Sequence, residues 1–302
     1  MGIIKKDREV WLVGEVSAEP WYNSGDSVPF DPIDNRFAEV GTIARYSIAR
    51  YSDGILYLGA DERGAGRLIQ ISGEGMSVIS SPQIETMIGK LPVISDAEGW
   101  TYYQDGHEFY MLTFPLARLT LCYDFTTQSW HKRETEDEGG RHIASTHEYW
   151  AAHNMHVIGD YASANIYEWK TDVYQDNTKP LKRSRTGQSV HSASIPGPPS
   201  GHRVALLYHW VEIDCVRGRT DPNASILHDE VARVRLEWSD DGGLTYGSSR
   251  VSEINLGKVG ENFKIKFFGL GRSYDRRFRV SSETNQDFAI VDAFANVSRC
   301  VW

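Results

Sequence analysis

The densest group of acidic side chains lies in the stretch ETEDEGG, at residues 134–140, which places four carboxylates in five consecutive positions. Glycoside hydrolysis uses a pair of carboxylates that flank the bond to be cleaved. Four adjacent charges repel one another and resist burial, so a run of this kind is typical of a solvated loop. We therefore expect no catalytic residues in this stretch.

Five of the ten histidines fall between positions 131 and 156, namely His131, His142, His147, His153 and His156. The pair His153 and His156 has a spacing that could supply two metal ligands. If the segment is a strand, however, residues three apart point to opposite faces and cannot bind one ion together. We expect surface or interface histidines, no metal site and no cofactor.

The stretch SDDGGLTY, at residues 239–246, matches the Asp-box pattern of sialidases. Physically the pattern describes a hairpin turn, in which Asp241 accepts backbone N–H groups, Gly243 takes a positive φ and Tyr246 packs beneath. The motif is a structural turn even in enzymes that carry it, so a single copy is weak evidence for a glycosidase. The sequence therefore gives no set of catalytic residues.

The overall charge and the cysteines restrict the class of protein. The 302 residues include 41 acidic and 32 basic side chains, a net charge of −9, whereas a general nucleic-acid coat needs a basic surface. Cys122, Cys215 and Cys300 lie far apart and fit neither a disulfide framework nor a zinc ribbon. No secretory signal and no run of about 18 apolar residues occurs, so we expect a reducing compartment and no membrane span.

Four segments share one pattern: an apolar or aromatic strand, a loop of small or polar residues and a second apolar strand. They begin at Val10, Ile55, Phe109 and His156, so successive starts are 45, 54 and 47 residues apart. Spacings of about 40–50 residues are typical of propeller blades, whose hairpins bury their apolar faces by stacking on neighbours. We therefore predict a propeller-like array of antiparallel hairpin blades, in which residues 120–130 form the outer half of one blade.

The chain changes character at the stretch SASIPGPPSGH, at residues 192–202, whose prolines and glycines are typical of a linker. Residues 1–191 carry the hairpin repeats and one short helix, which we predict over residues 81–91 with Ser81 as its cap. Residues 203–302 have the pattern of long strands and predict an antiparallel, β-sandwich-like domain. The predicted fold class is all-β.

Aromatic side chains near the N-terminus form a first candidate partner surface. Trp21, Tyr22 and Phe30 lie in a segment rich in glycine and proline, which we expect to be a loop. Large exposed aromatic residues are common anchors of protein interfaces. The alternative is that these three side chains cover the first blade.

Arginines form a second candidate partner surface. It consists of Arg183, Arg185, Arg272, Arg276, Arg277 and Arg279. If the segment from Arg276 is a strand, Arg277 and Arg279 share a face, and such a face suits a protein partner or a phosphate backbone. A solvated strand face is an equally good interpretation.

Several stretches together resemble one protein family. They are PWYNSGDSVPFDPIDNRFAEVGTIARYSIA, LGADERGAG, GHEFYMLTFPLARLTLCYDFTTQSWHKR, WSDDGGLTY and FFGLGRSYDRRFRV. The family is that of the packaged-DNA stabilisation, or tail hub, proteins of P22-like short-tailed phages. The similarity runs in the same order over nearly the whole chain and is most specific at residues 21–49 and 106–133.

The resemblance implies a structural virion protein rather than an enzyme. In that family the hub, or nozzle subunit, is β-rich and propeller-like and forms a homo-oligomeric ring, hexameric in the family, below the portal and its adaptor protein. The ring retains packaged DNA until ejection, lets DNA pass without sequence-specific binding, and docks the tail needle and the tailspikes or fibres. The implied location is the virion tail, after synthesis in the host cytoplasm.

The sequence departs from the family in one respect. Family members are typically longer at the N-terminus, and four hairpin repeats are near the minimum for a closed propeller. We therefore expect an incomplete propeller, whose missing blades come from a separately encoded chain or from a ring neighbour.

Two other functions remain as alternatives. One is a sialidase-like β-propeller enzyme that acts on glycans, which the Asp-box and the aromatic content suggest. Such an enzyme would need arginines and acids at the propeller centre, and the sequence does not repeat them at strand starts. The other is a receptor- or sugar-binding tail module, which would need an exposed aromatic cleft.

Overall fold

The structure is a computed structural model that divides into two compact units, Met1–Lys170 (unit 1) and Thr171–Trp302 (unit 2), and each unit is described by itself. The described residues are 1–60, 66–73, 75–135, 140–176, 179–196, 204–217, 231–255, 262–283 and 288–300.

Unit 1 contains four consecutive antiparallel sheets, which we call blades 1 to 4, and in each of them the strands are paired in chain order. Blade 1 consists of β1 (Gly2–Lys6), β2 (Glu9–Val13), β3 (Ala18–Asn23) and β4 (Phe30–Pro32). Blade 2 consists of β5 (Ala49–Tyr51), β6 (Gly54–Ala60), β7 (Gly66–Ser72) and β8 (Gly75–Val78). Blade 3 consists of β9 (Glu98–Gln104), β10 (His107–Phe114), β11 (Leu119–Asp124) and β12 (Ser129–Lys132). Blade 4 consists of β13 (Ala144–Trp150), β14 (Met155–Asp160) and β15 (Ile166–Trp169). The predicted propeller-like array of hairpins is confirmed.

The predicted short helix is also confirmed, as α1 (Pro82–Ile88) between blades 2 and 3. The Ser81 side chain accepts a hydrogen bond from the backbone N–H of Ile84, and proline occupies the first turn, where its missing N–H costs nothing. Ile84 and Ile88 are buried. Within the described residues, no helix has the length and apolar character that a membrane crossing requires.

The inner blades are apolar on both faces because each stacks between two neighbours. In β6, Ile55 and Tyr57 pack with Trp11 and Val13 of blade 1. The alternate residues Leu56 and Leu58 pack on the other side with blade 3 side chains, such as Leu112. All of these β6 side chains are fully buried. A strand that is buried on both faces needs a continuous run of apolar residues instead of alternating apolar and polar residues. Strand β6 has such a run.

Blade 3 repeats this arrangement. Tyr110, Leu112 and Leu121 belong to the cluster shared with blade 2, whereas Met111 and Cys122 face blade 4. Residues 120–130 form the β11–β12 hairpin, which is the outer half of the blade, as predicted. Its last residue, Trp130, donates an indole hydrogen bond of 2.9 Å to the carbonyl of Ile79 and contacts the ring of Tyr123 at a centroid distance of 4.9 Å.

Unit 2 contains one two-stranded pair, β16 (Gln175–Asp176) with β17 (Lys179–Pro180), and two larger antiparallel sheets. The first large sheet has the order β18-β24-β20-β21, with β18 (Lys182–His191), β20 (Val231–Ser239), β21 (Ser248–Asn255) and β24 (Asp275–Glu283). In the second, β19 (Leu206–Arg217) pairs with β22 (Asn262–Phe268), β23 (Arg272–Ser273) and β25 (Phe288–Arg299).

The two large sheets share one hydrophobic core. Tyr208 and Ile213 of β19 and Phe267 of β22 cluster with Leu236 of β20 and Val280 of β24. Two antiparallel sheets that bury their inner faces against each other form a β-sandwich, so the predicted sandwich-like C-terminal domain is confirmed.

The boundary between the two parts differs from the one expected at residue 191. Strand β18 pairs along its length with β24, from Lys182 opposite Glu283 to His191 opposite Asp275. Backbone hydrogen bonds thus place residues 182–191 in the sandwich and not in the array of blades. The first unit ends earlier, at Lys170.

The predicted linker at residues 192–202 is, in its described part, a segment of unit 2. Ser192 is buried, and the Arg299 guanidinium donates hydrogen bonds to the carbonyls of Ser192 and Ile195 at 3.2 and 3.1 Å. Residues 197–202 lie outside the described residues. In the described part, Ser192–Ser194 form a 3₁₀ helix that directly follows β18 of the sandwich.

We expect Leu112→Ala to lower the free energy of unfolding of unit 1 by about 2–5 kcal/mol, because Leu112 is fully buried between blades 2 and 3 and truncation leaves a cavity. Urea unfolding followed by tryptophan fluorescence measures the change. The matched control is Leu116→Ala, at a position 69% exposed, for which we expect a change within about 0.5 kcal/mol. Equal effects at the two sites would contradict the inter-blade core.

Candidate functional site

The three N-terminal aromatic residues lie on strands rather than in a loop, which corrects the expectation from the sequence. Trp21 and Tyr22 belong to β3 and Phe30 begins β4, so they flank the connection at residues 24–29. Trp21 lies opposite Pro32 and Phe30 opposite Asn23 in the antiparallel pair. Glycine and proline in the stretch mark the hairpin turn and not the whole segment.

Strand alternation separates the three aromatic side chains. Tyr22 is paired with Glu9, so it shares the blade face that carries Trp11, whereas Trp21 and Phe30 lie on the opposite face. Tyr22 and Phe30 are 43% and 44% exposed, and Trp21 is half-buried. Tyr22 and Phe30 thus remain accessible to a partner, and Trp21 mainly covers its own blade.

Arg276 is buried inside unit 2, which corrects its assignment to a partner surface. Its side chain is 3% exposed, and the guanidinium donates two hydrogen bonds to the Asp240 carboxylate, at 2.6 and 2.7 Å, and a further one to the carbonyl of Leu270. The rings of Tyr208 and Trp238 lie 4.7 and 5.3 Å from it. Such a paired and stacked arginine stabilises the fold and offers nothing to a partner.

Asp240 keeps its negative charge because of this contact. Partial burial by itself would raise the pKa of Asp240, but hydrogen bonds from Arg276 and Ser273 and the positive charge of Arg276 bring that pKa below its usual value. The Asp240 carboxylate is therefore charged throughout the neutral range.

Arg277 and Arg279 share the outer face of β24, as the alternation of the sequence predicted. The residues between and beside them, Arg276, Phe278 and Val280, are buried on the inner face. The Arg279 guanidinium is 3.2 Å from a carboxylate oxygen of Glu237 and 3.8 Å from the ring centroid of Tyr246. Arg277 is exposed and lies opposite Ser239 and Ser189 on the two neighbouring strands.

The other candidate arginines are not brought into the same group. Arg183 and Arg185 are on β18, opposite Ser282 and Val280, so they lie on the opposite sheet face from Arg277. Arg183 lies 5.1 Å from the ring centroid of Tyr174, and Arg185 is exposed. Arg272 is on β23, which belongs to the other sheet. The arginines therefore do not form one continuous surface.

The Asp-box is the turn between β20 and β21, and its structure is the predicted one. A carboxylate oxygen of Asp241 accepts hydrogen bonds from the backbone N–H groups of Leu244 and Thr245, both at 3.0 Å, and Gly243 has a φ of +96°. The Ser239 hydroxyl oxygen accepts a hydrogen bond of 2.8 Å from the N–H of Gly243. The carboxylate that could have served catalysis is engaged in holding the turn.

A cluster of aromatic rings, histidines and one arginine lies between blades 3 and 4, and we call it the inter-blade cluster. The Arg133 guanidinium lies 5.3 Å from the ring centroid of Phe109 and 5.4 Å from that of Trp169. Its other members are Trp100, Tyr102, His142, His147 and His156. Surface or interface histidines were expected, and His142 and His147 are half-buried between the blades, where they stack on Trp169 and Trp100 at centroid distances of 5.2 and 5.3 Å.

The pKa values of His142 and His147 are lowered, so both side chains are neutral at pH 7. Burial, together with the positive charges of Arg133 and Arg141, lowers the pKa of His142 to about 3. Burial and the neighbouring His156 lower the pKa of His147 to about 4. His142 Nδ1 accepts the backbone N–H of Ala144 at 3.1 Å, which requires that this nitrogen carry no proton.

Two further candidates from the sequence are a histidine metal site and the acidic run at residues 134–138. In the described residues no group of three or more His, Cys, Asp or Glu side chains is placed to hold a metal ion. His153 lies in a short 3₁₀ helix and His156 on β14, where His156 pairs with His147 through a 2.9 Å contact between ring nitrogens. Residues 136–139 of the acidic run lie outside the described residues.

We expect Arg276→Ala and Arg277→Ala to differ sharply, although the two residues are adjacent. Arg276→Ala removes the bidentate partner of Asp240, which should cost about 2–3 kcal/mol, below the value for a fully buried pair because Asp240 is 46% exposed. Arg277→Ala should change stability by less than about 0.5 kcal/mol. Thermal unfolding of both variants checks this, and equal losses would mean that the alternation on β24 is wrong.

We expect unit 1 to lose stability as the pH falls from 7 to 5. The unfolded chain binds protons on His142 and His147 near pH 6.5, whereas the folded chain does not until pH about 3–4. Lowering the pH to 5 therefore favours unfolding by about 1–2 kcal/mol at His142, and by less at His147, whose partial exposure lets solvent screen the effect. Urea unfolding at pH 7 and pH 5 measures the loss. His142→Gln should reduce the difference between the two pH values, and the control His153→Gln, at an exposed position, should preserve it.

A family model described as phage stabilisation, "Bacteriophage P22 Gp10, beta-propeller", matches residues 1–174. The comparison with curated protein sequences gave no match.

Among solved structures, the chain is similar to two GH43 glycoside hydrolases. One is engineered to display both endo-xylanase and exo-arabinofuranosidase activity, with 10% identity, coverage of 96% of this chain and 85% of that chain, and a TM-score of 0.28. The other is an arabinoxylan arabinofuranohydrolase from Bacillus subtilis in complex with cellotetraose, with 10% identity, coverage of 99% and 67%, and a TM-score of 0.20. Likenesses this weak carry no argument about function.

The family match covers more than half of the chain, and its range contains all four blades of unit 1. The chain is a member of the bacteriophage P22 Gp10 β-propeller family.

Proposed function

We propose that this protein is a structural component of a phage virion, a tail hub or nozzle subunit that joins the portal and its adaptor to the distal tail. The observation that carries the proposal is the family match over residues 1–174, which coincides with the four stacked blades. Blades of this kind form a rigid scaffold whose end loops are left for binding other proteins. In this role the protein helps to retain packaged DNA.

We propose further that the protein is not an enzyme. The feature that suggested a glycan-active enzyme is the Asp-box, and its Ser239, Asp241 and Thr245 side chains hydrogen-bond one another and the backbone of the turn. Side chains engaged in this way position a hairpin and do not converge on a substrate. This supports a structural role over the sialidase-like alternative.

The proposed partners are further copies of the chain in a ring, the portal-adaptor protein, and the tail needle, tailspike or fibre proteins. Tyr22 and Phe30 are exposed aromatic residues of the type that anchors protein interfaces, and Arg277 is an exposed arginine on a strand face. These side chains supply candidate contacts for such partners.

The distribution of charge suits a channel protein. Unit 1 carries 25 acidic and 14 basic residues, a net charge of −11, and unit 2 carries 16 acidic and 18 basic residues, a net charge of +2. An acidic surface repels the DNA backbone. In the proposed hub, unit 1 therefore lets DNA pass without retaining it through nonspecific contacts.

We expect the purified chain to form a ring or an adaptor-dependent complex and to release no sugar from glycans. Light scattering after size-exclusion chromatography, for the chain alone and mixed with the products of neighbouring genes, measures the assembly. The double variant Tyr22→Ala and Phe30→Ala should weaken association, and the control Tyr46→Ala, at a position 61% exposed, should not. A monomer that hydrolyses glycans and binds none of these proteins would refute the proposal.

A further inference from the structure

One buried charge in the described part of the chain lacks a partner. The buried residues with charged side chains, at 3–8% exposure, are Glu108, Asp124, Arg141, Glu212 and Arg276. Four of them have hydrogen-bond partners: Glu108 with Ser52, Asp124 with His107, Glu212 with Lys264 and Arg276 with Asp240. Within the described residues, the guanidinium of Arg141 has none.

Arg141 lies in the connection from β12 to β13 and stacks on the ring of Tyr161. The guanidinium carbon is 3.8 Å from the ring centroid. Tyr161 directly follows β14, and its backbone N–H donates a hydrogen bond of 3.1 Å to the carbonyl of Ile143. The ring covers one face of the guanidinium, but it accepts none of the N–H groups that lie in the guanidinium plane. The hydrogen-bonding edge of Arg141 is therefore unused by this contact.

The N–H donors of Arg141 have no acceptor. Its Nε is sealed from solvent and has no hydrogen-bond partner. The two Nη atoms also have no hydrogen-bond partner within the described residues, but unlike Nε they are not sealed from solvent. A buried donor without an acceptor costs free energy, and a buried charge without a counter-charge costs more. Arginine cannot lose its proton to avoid this cost, so the arrangement favours an anion at the Nη atoms.

The carboxylate that strand pairing brings to the same end of blade 4 is engaged elsewhere. Asp160 is paired with Ala144, three residues after Arg141. Its oxygens accept hydrogen bonds from the backbone N–H of Ala162, at 2.7 Å, and from the hydroxyl of Ser163. Asp160 thus holds the turn that follows β14 and does not neutralise Arg141.

A second positive charge in this region also has no carboxylate partner within the described residues. Arg133 donates from Nε to Nε2 of His131 at 3.2 Å and otherwise contacts rings of the inter-blade cluster. Burial and then the charges of Arg133 and Arg141 lower the pKa of His142, so this neighbour adds no negative charge. Asp124, which acts electrostatically on His131, is engaged by its own turn. Two uncompensated guanidinium groups make the region attractive to an anion.

We propose that Arg141 is the base of an oxyanion site in blade 4, which takes a carboxylate or phosphate group that presents two oxygen atoms to the guanidinium. Two parallel N–H···O bonds of this kind are among the strongest hydrogen bonds that arginine makes. Tyr161 occupies the face of the guanidinium and the ligand its edge, so the two do not compete. The oxyanion comes either from a free anion or from an acidic side chain of a partner protein. The inference does not depend on the virion role.

Isothermal titration calorimetry of the full chain at pH 7 and constant ionic strength tests the two sources of the oxyanion. Inorganic phosphate represents the free anion, and we expect a Kd of about 1 mM for one bidentate contact. A hexaglutamate peptide represents the acidic side chain, with a hexaglutamine peptide as its neutral control. Tighter binding of phosphate assigns the site to a free anion, and tighter binding of hexaglutamate assigns it to a partner protein.

The variant Arg141→Met removes the charge and keeps an unbranched side chain against the ring of Tyr161. In buffer without phosphate its melting temperature should be at least that of the unchanged chain, because no ion pair is lost, in contrast to Arg276→Ala. Phosphate at about five times its Kd should raise the melting temperature of the unchanged chain by about 2–4 °C and leave that of Arg141→Met unchanged. The control Arg50→Met, at an exposed position on β5, should keep the full response.

The proposal is overturned if neither phosphate nor hexaglutamate binds the unchanged chain, or if Arg141→Met responds to them as the unchanged chain does. It is also overturned if Arg141→Met lowers the melting temperature by several degrees without either probe, because the charge then already has a partner. The triple variant Glu136→Gln, Asp137→Asn and Glu138→Gln identifies that partner: a loss of stability that disappears in the Arg141→Met background assigns the guanidinium to the acidic run of this chain. These readouts use one chain and small probes, so they are independent of the test of the hub function.

Discussion

The packing of one sheet face on another is the interaction on which unit 1 depends. No blade of three or four strands has a core of its own, and its apolar side chains leave water only when the next blade covers them. The clusters between blades 1 and 2, 2 and 3, and 3 and 4 follow one another along the chain, and each uses alternate residues of the same central strands. A buried polar group depends on the same packing: the hydroxyl of the fully buried Tyr110 in blade 3 donates a 2.7 Å hydrogen bond to the carbonyl of Ser47, on the connection between blades 1 and 2.

Unit 2 buries its apolar side chains between two sheets instead of in a stack of blades, and it also buries the polar side chain of Arg276. Arg276 brings a positive charge into the interior, which is tolerated because Asp240 neutralises it and two aromatic rings cover it. The adjacent Arg277 carries the same charge on the solvent side of the strand. Two neighbouring arginines thus lie in opposite environments, one paired inside the fold and one exposed to solvent.

Sequence patterns predicted the strands, the helix and the turns of this protein more accurately than they predicted which domain or which face of a sheet each residue belongs to. Strand spacing and apolar runs identified the blades, Ser81 and Pro82 marked the helix, and the Asp-box predicted its turn in detail, because each of these signals is local. The boundary near residue 191, the burial of Arg276 and the stacking of His142 and His147 were missed, because they depend on which distant strand lies opposite. A weak signal for the inter-blade cluster did exist, in Trp100, Tyr102 and Phe109, whose alternation along a hairpin indicates an aromatic face. The sequence did not predict which surface binds which partner, because a contact with a second molecule produces no periodic pattern of apolar and polar residues.

The pairing of β18 with β24 has a consequence for synthesis on the ribosome. Each blade of unit 1 is built from strands that follow one another directly, so its hairpins can form soon after they emerge. Strand β18, in contrast, ends at His191, and its partner ends only at Glu283. During that interval the nascent chain presents an unpaired ten-residue strand to the surrounding proteins. The pairing of β18 with β24 therefore has to wait until nearly the whole of the second unit has been synthesised.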